Sequence, residues 1–166
     1  MTQEAEKFDL LDRLLSKQLA WIAAADTKGT LLFAIDSAML AVIAATVPSV
    51  KQWTAGAAAS SSIASLALLA SVSFIGLATF PNLKGPRGSA VFFGGISATE
   101  ENYYVKKITQ GVTDELLEDF ARQCHRNAEI ANIKFSYIKK SAVCSFLALP
   151  FWLVSIWSLY TIKFSN

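Results

Sequence analysis

The sequence predicts an all-α integral membrane protein with three transmembrane helices and a small cytoplasmic helical module. Two long stretches, 52–83 and 141–162, contain no charged residue. A third apolar run, 30–47, contains a single charge, Asp36. Because about 20 mostly apolar residues span a hydrocarbon core about 30 Å thick, each run is long enough to form one span. The chain is 53% hydrophobic, so a bilayer is expected to be its main solvent.

Lysine and arginine predict the orientation of these spans. Cationic residues near a span are retained on the cytoplasmic side, and here they are concentrated before the first span and between the second and third. The N-terminus is therefore expected in the cytoplasm and the C-terminus outside. The predicted order is a cytoplasmic amphipathic helix, transmembrane helix 1, an outer loop, transmembrane helix 2, a cytoplasmic helical region, transmembrane helix 3 and an outer tail: 1–28, 29–47, 48–57, 58–80, 81–140, 141–162 and 163–166.

The N-terminal segment predicts an amphipathic helix. Its apolar residues recur at helical spacing, and charged residues occupy the other faces. This helix should continue towards the first span, with Gly29 as a candidate flexible point. The apolar positions are Phe8, Leu11, Leu15, Leu19 and Ile22.

The region between the second and third spans predicts two more helices. Pro81 should end the second span, and 82–88 should form a loop, which the aromatic and glycine-rich segment 92–95 follows. Thr99, followed by two glutamates, is typical of a helix N-cap. Thr113 begins a further helix after Gly111, and its apolar positions continue towards the third span. Pro150 within that span predicts a kink, with a gating hinge as the less favoured function.

Several functional classes lack support in the sequence. Cys124 and Cys144 would lie roughly 30 Å apart on one helix, too far for a disulfide within one chain. With a single histidine, His125, they offer no metal-ligand spacing, so no metal site is expected. No catalytic set or phosphate-loop motif appears, which argues against an enzyme. The net charge of +2 does not imply nucleic acid.

Four blocks of residues carry a resemblance to a known family. They are Ala25-Asp26-Thr27-Lys28-Gly29 before the first span, Phe80-Pro81-Asn82-Leu83 after the second, Phe92-Phe93-Gly94-Gly95-Ile96 beyond it, and 123–134 with Tyr137 before the third. In order and spacing, these blocks and the membrane pattern resemble the transmembrane effectors of Pycsar antiphage systems, over nearly the whole chain. Gly29, where alanine is expected, and Asp36, where a neutral polar residue is expected, depart from that pattern.

The resemblance implies an effector of the bacterial inner membrane in antiphage defence. Such an effector is activated by cyclic CMP or cyclic UMP, which a partner pyrimidine nucleotide cyclase makes on phage infection. It then impairs membrane integrity and causes abortive infection, without a cofactor. Because three helices are too few to enclose a pore alone, a homo-oligomer in the lipid bilayer is expected. The alternatives are a small ion channel or transporter subunit, and a membrane scaffold that only recruits a partner.

A cyclic mononucleotide requires a cationic or backbone-amide cradle for its phosphate, polar groups for its ribose and a face for its base. Lys84 and Arg87 also fit positive-inside residues beside a span, and Phe93 also fits a membrane-surface or core anchor. The candidate ligand-binding residues are Lys84, Arg87, Phe93, Gly94, Gln123, Arg126 and Asn127.

Four further residues are candidates for coupling or gating: Asp26, Lys28, Asp36 and Pro150. Asp26 and Lys28 do not face one another on a helix, so they need different partners. Asp26 is expected to pair with a cation of the cytoplasmic helices, such as Arg122 or Arg126, or else to mark the membrane boundary with Lys28. Asp36 should not face lipid. It either contributes to a polar seam that hydrates, or it is hydrogen-bonded by Ser71, Ser73 or Ser145.

Overall fold

A computed structural model describes residues 3–48, 53–80, 88–111 and 113–164 of the chain. Within these ranges the regular structure is helical, with no strand. Helices α1, α2 and α5 are each long and apolar enough to cross a membrane, which confirms the predicted fold class. The membrane boundaries and the cytoplasmic module stay predictions. The described ranges contain the helices α1 (Gln3–Thr46), α2 (Ala55–Thr79), α3 (Phe93–Ser97), α4 (Glu101–Gln110) and α5 (Thr113–Phe164).

The chain divides into two compact units. Unit 1 consists of Met1–Ala24 and Pro81–Ile133, and unit 2 consists of Ala25–Phe80 and Lys134–Asn166. Helices α1 and α5 contribute residues to both units, because each is continuous through the boundary between them.

Unit 2 is a bundle of α1, α2 and α5 with an apolar centre. The indole nitrogen of Trp152 donates a hydrogen bond to the carbonyl oxygen of Met39 at 2.9 Å, which ties α5 to α1. Helix α2 begins at Ala55, three residues earlier than predicted, because the Thr54 hydroxyl accepts a hydrogen bond from the Ala57 amide and caps the helix. The central cluster comprises Met39, Ile43, Ala64, Leu68 and Ala148.

Gly29 is a point of close helix packing and not a break in α1. It is buried inside the continuous helix, and a Cβ atom at this position would lie 3.0 Å from Cδ1 of Ile138 and 3.8 Å from Cγ2 of Ile75. The missing side chain therefore lets α1 approach α5 and α2 closely. The helix is continuous at Gly29, and its flexibility stays a prediction.

Unit 1 contains the first part of α1, helices α3 and α4, and the first part of α5. The rings of Phe8 and Phe120 meet edge to face, with centroids 6.1 Å apart. Leu19, predicted on the apolar face of α1, is 51% exposed. Gln18 takes the inward position instead, because it continues the three- and four-residue spacing of the partly buried positions around it.

The N-cap of α4 is Glu100, so the assignment of this role to Thr99 was wrong. The Glu100 carboxylate accepts hydrogen bonds from the amides of Asn102 and Tyr103 at 3.1 and 3.2 Å. The Thr99 hydroxyl instead donates to the carbonyl oxygen of Gly95 at 2.7 Å, which closes the end of α3. A carboxylate at this position also complements the positive end of the helix dipole.

Candidate functional site

The predicted ligand-binding residues fall into three groups. Lys84 and Arg87 lie outside the described residues. Phe93 and Gly94 begin α3, and the remaining three belong to α5; both groups lie in unit 1. The α5 group consists of Gln123, Arg126 and Asn127.

The start of α3 is shaped by aromatic packing. The rings of Phe92 and Phe93 have centroids 4.7 Å apart, and Phe93 is mostly exposed. A Cβ atom on Gly94 would lie 2.6 Å from Cε1 of Phe92, so the glycine makes room for that ring. The structure thus gives Gly94 a packing reason, while a direct role for Phe93 and Gly94 in binding stays a prediction.

The segment before α3 is anchored to α4 and α5. The Ala90 amide donates to the Asp119 carboxylate at 2.6 Å, and the Tyr104 hydroxyl donates to the Ala90 carbonyl oxygen at 3.4 Å. The Ser89 hydroxyl accepts hydrogen bonds from the amides of Val91 and Phe92. These contacts fix the backbone of the segment independently of any ligand.

Unit 1 also has an open cleft of about 430 Å³ beside this segment. Two cations at the cleft are already engaged: Lys107 donates to the carbonyl oxygen of Gly88 at 2.7 Å, and Arg122 pairs with Glu118. Three carboxylates against two cations make the lining unfavourable for a phosphate anion, and it contains none of the predicted ligand-binding residues. The lining residues are Gly88, Ser89, Lys107, Glu115, Glu118, Asp119 and Arg122.

A buried pair of amides on α5 offers a better site. The side chains of Gln123 and Asn127 are 7% and 5% exposed, and Nε2 of Gln123 donates to Oδ1 of Asn127 at 3.1 Å. Oε1 of Gln123 is buried without a hydrogen-bond partner in the described part of the chain, as is Oε1 of Gln18 on α1. A buried acceptor without a donor costs about 1–3 kcal/mol of stability. Each of these two oxygens could therefore accept a hydrogen bond from a ligand that brings a donor. We call Gln123 and Asn127 the amide cluster.

Cys124 and Arg126 lie between the two buried amides in the sequence of α5. The Arg126 guanidinium pairs with Glu129 at 3.0 Å and is partly exposed. Burial raises the pKa of the Cys124 thiol, whose sulfur donates to the carbonyl oxygen of Leu11 at 3.6 Å. Because nucleophilic cysteines depend on a lowered pKa, Cys124 is a packing residue of the interface between α1 and α5.

Asp26 pairs with Lys134, and not with the two arginines that were suggested for it. Nζ of Lys134 lies 2.5 Å from Oδ1 of Asp26, within unit 2. The suggestion of Arg122 or Arg126 was wrong, because these residues pair with acids on their own helix, Glu118 and Glu129. The general expectation of a cation from the segment before the third span is confirmed.

The structure shows one contact for Lys28 and only the position in the helix for Pro150, so neither observation tests a role in coupling or gating. Nζ of Lys28 lies 5.2 Å from the centroid of the Phe135 ring, which gives it a partner different from that of Asp26, as expected. Pro150 lies inside α5, which continues to Phe164, and the kink stays a prediction.

Asp36 is fully buried in unit 2, which confirms that it does not face its surroundings. Ser71 donates to its Oδ2 at 2.6 Å, and Ser145 donates to its Oδ1 at 2.8 Å. Ser73 was a wrong candidate, because its hydroxyl donates to the Leu69 carbonyl oxygen of its own helix.

Three of the residues in these sites were missed by sequence reasoning: Gln18, Lys134 and Ser141. A polar residue at an inward position of α1 was the available signal for Gln18. Lys134 was one cation among several, and only the alignment of α1 with α5 selects it. Ser141, whose hydroxyl lies 2.7 Å from that of Ser71, had no distinguishing signal.

Comparison with known proteins identifies one family. The family model described as the Pycsar effector protein domain matches residues 10–161. No curated protein and no solved structure matches the chain. Since the family model covers nearly the whole sequence, the chain belongs to the Pycsar effector protein domain family.

Proposed function

We propose that this membrane protein is an antiphage effector that a cyclic pyrimidine mononucleotide activates. Cyclic CMP or cyclic UMP, made by a partner cyclase, binds unit 1, and the activated protein impairs the integrity of the bacterial inner membrane. The result is abortive infection. Family membership and three helices able to span a bilayer support the effector role.

The observation that carries the nucleotide part is the unpartnered acceptor of the amide cluster. Cytosine presents an amino donor and uracil presents an N3–H donor, and proteins commonly read such bases by hydrogen bonds to their Watson–Crick edges. Oε1 of Gln123 can accept from either donor, and the Asn127 amide can both donate and accept. Arg126 lies next to Asn127 on α5, and its guanidinium would have to exchange its pairing with Glu129 for the cyclic phosphate.

Access to this site requires movement. Gln123 and Asn127 are buried against their surroundings in unit 1, so a base can reach them only when the helices there separate. Helices α1 and α5 both continue into unit 2, where the pair of Asp26 and Lys134 joins them. A ligand that favours the separated arrangement therefore changes the helices that cross the membrane, through its differential affinity for the two states. Several copies of the chain, assembled as a homo-oligomer, would together make the membrane permeable.

Binding by the purified protein tests the nucleotide part. In detergent or nanodiscs, calorimetry should show binding of cyclic CMP or cyclic UMP and weaker binding of cyclic AMP. Gln123→Leu should weaken binding about 10- to 100-fold, as expected for loss of a hydrogen bond that reads a base edge. His125→Ala is the matched control, because His125 is an exposed neighbour on the same helix. Equal affinity for all three nucleotides, or an unaltered affinity in Gln123→Leu, would exclude this site.

Toxicity in bacteria tests the effector part. Co-expression with a pyrimidine nucleotide cyclase should arrest growth and release a cytoplasmic dye, whereas a catalytically dead cyclase should do neither. The buried carboxyl of Asp36 also suits a small ion channel or transporter subunit. Conductance in bilayers that is independent of nucleotide would favour that alternative.

A further inference from the structure

Two buried polar layers lie along the axis of unit 2. The first contains Asp36, which Ser71 and Ser145 contact, and Ser141 beside them. The second contains Ser61 and Ser155, whose hydroxyl oxygens are 2.6 Å apart. Ten residues separate Ser71 from Ser61, and ten separate Ser145 from Ser155, so the layers are about 15 Å apart at 1.5 Å per residue.

An apolar layer separates these two polar layers. Leu68 is fully buried in it, three residues from Ser71 and seven from Ser61 along α2. The layer consists of the central cluster described above: Met39, Ile43, Ala64, Leu68 and Ala148. Polar groups therefore lie on both sides of a short apolar stretch, and together they form an interrupted polar path along about 15 Å of the bundle.

The carboxyl of Asp36 has hydroxyl neighbours but no counter-charge among the residues that the structure describes. None of the ion pairs among the described residues includes it, and α2 contains no charged residue. On α1, Asp26 is paired with Lys134, and Lys28 lies over Phe135.

The remaining cations near the first polar layer lie on α5, and neither of them forms an ion pair with Asp36. Lys139 is exposed, and Nζ of Lys140 lies 5.2 Å from the centroid of the Tyr137 ring and 5.9 Å from that of Phe74. An unbalanced carboxylate within a membrane span is costly, and a bound proton removes its charge.

We propose that Asp36 is a proton-binding site within the span, and that the first lesion made by the activated effector is a proton leak through unit 2. This inference rests on the proposed function. When water reaches the first polar layer, a proton passes to a carboxylate oxygen of Asp36 and is released from the carboxyl to water on the other side. Ser61 and Ser155 provide the next polar groups along the path. The carboxyl is restored after each transfer, so no other reactant is consumed.

Protons fit this path better than larger ions. The first layer is closed by hydrogen bonds of 2.6 to 2.9 Å among Asp36, Ser71, Ser141 and Ser145, which leave no room for an alkali metal ion without separating these groups. A proton moves along such hydrogen bonds and needs only transient water across the apolar layer. The bundle therefore does not have to open into a wide pore for protons to cross.

Proton flux into vesicles tests the inference. The protein is reconstituted with a pH-sensitive dye inside, valinomycin and potassium to balance charge, and cyclic CMP or cyclic UMP outside; parallel vesicles contain calcein. Nucleotide should acidify the lumen well before calcein escapes. Asp36→Asn should reduce proton flux about 100-fold, as for loss of a positioned proton acceptor, while nucleotide binding and thermal unfolding stay unchanged. Wild-type flux in Asp36→Asn, or simultaneous release of protons and calcein, would overturn the proposal.

A second pair of variants tests the apolar layer without nucleotide. Leu68→Ser places a hydroxyl in the layer and should cause constitutive proton flux, which Asp36→Asn in the same chain should remove. Leu69→Ser is the matched control, because Leu69 is 52% exposed on the outside of the same helix. If nucleotide activates no protein at all, the proposed function fails. In that case the comparison of Leu68→Ser with Leu69→Ser is the remaining test of the proton site. Equal proton flux through these two variants would exclude the site.

Discussion

Nζ of Lys134 lies 2.5 Å from Oδ1 of Asp26, so a buried lysine of α5 is neutralised by a half-exposed aspartate of α1. The asymmetry of burial decides which partner matters more. Removing Asp26 leaves an unpaired ammonium group in a buried position, whereas removing Lys134 leaves a carboxylate that water can reach. The pair therefore makes the junction of α1 and α5 sensitive to the loss of its acid.

Asp26→Ala should destabilise the protein more than Lys134→Met does. Loss of a partner from a fully buried pair costs about 3–5 kcal/mol, and the exposure of Asp26 reduces this to about 1–3 kcal/mol. Nucleotide-triggered toxicity should be lost while membrane insertion persists. The measurements are thermal unfolding in detergent and dye leakage in cells.

An exposed ion pair provides the control for this prediction. Asp9 and Arg13 form an i,i+4 pair on α1 with both side chains exposed, and Asp9→Ala should cost less than about 0.5 kcal/mol. The exchange of Asp26→Lys with Lys134→Asp should restore part of the lost stability. Equal effects of Asp9→Ala and Asp26→Ala would show that the buried pair does not stabilise the junction.

Gly29 should tolerate alanine but not leucine. The Cβ atom of an alanine would lie 3.0 Å from Cδ1 of Ile138, the end of a flexible side chain that can shift, and alanine favours a helix by about 1 kcal/mol over glycine. Gly29→Ala should therefore change the free energy of unfolding by less than about 1 kcal/mol. Gly29→Leu should cost about 1–3 kcal/mol, because overpacking forces the helices apart.

Gly76 is the matched control for this pair of substitutions. A Cβ atom there meets nothing within 4 Å, so Gly76→Leu should be neutral or stabilising in detergent. If Gly76→Leu and Gly29→Leu destabilise equally, close packing at Gly29 is not the reason for glycine at that position.

Gln123→Leu should leave the stability of the ligand-free protein about unchanged, although it weakens nucleotide binding. Leucine removes the buried Oε1 that has no donor, but it also leaves Oδ1 of the buried Asn127 without its donor. Because each such acceptor costs about 1–3 kcal/mol, the two effects offset one another. Ligand should raise the melting temperature of the wild type but not of the variant. A variant that unfolds more easily and still responds to nucleotide would contradict a binding role for this amide.

Much of the architecture of unit 2 follows from hydropathy alone. Charge-free windows predict membrane helices because a bilayer excludes unpaired charge, and the burial of Asp36 follows for the same reason. Two of the three serines suggested for Asp36 contact it, because small hydroxyls on apolar helices are the few groups able to satisfy a carboxyl there. Ser71 and Ser73 lie two residues apart on a helix and face nearly opposite directions, so only one of them can contact Asp36. The sequence does not say which of the two it is.

The contacts of α1 with α5 could not be predicted in the same way. The choice of Lys134 for Asp26 depends on the relative alignment of two helices, which charge and periodicity leave open. Leu19 was placed on the inward face because hydrophobicity normally marks that face, whereas in unit 1 the partly buried position belongs to Gln18, whose Oε1 is buried. Unpartnered buried polar groups depart from the usual pattern, and sequence reasoning fails most readily where that pattern is broken.

Cys124 should report the movement that the proposed function requires. The thiol is buried beside Leu11, and its raised pKa leaves little thiolate near neutral pH, so maleimide labelling should be slow at pH 7 and accelerate as the pH rises. If the helices of unit 1 separate around a bound base, cyclic CMP or cyclic UMP should increase the labelling rate at constant pH. Cys124 is measured in a Cys144→Ala background, and cyclic AMP serves as the control ligand. Labelling that pyrimidine nucleotides leave unchanged, or slow down, while calorimetry still shows binding would mean that the base binds without separating α1 from α5 at Cys124.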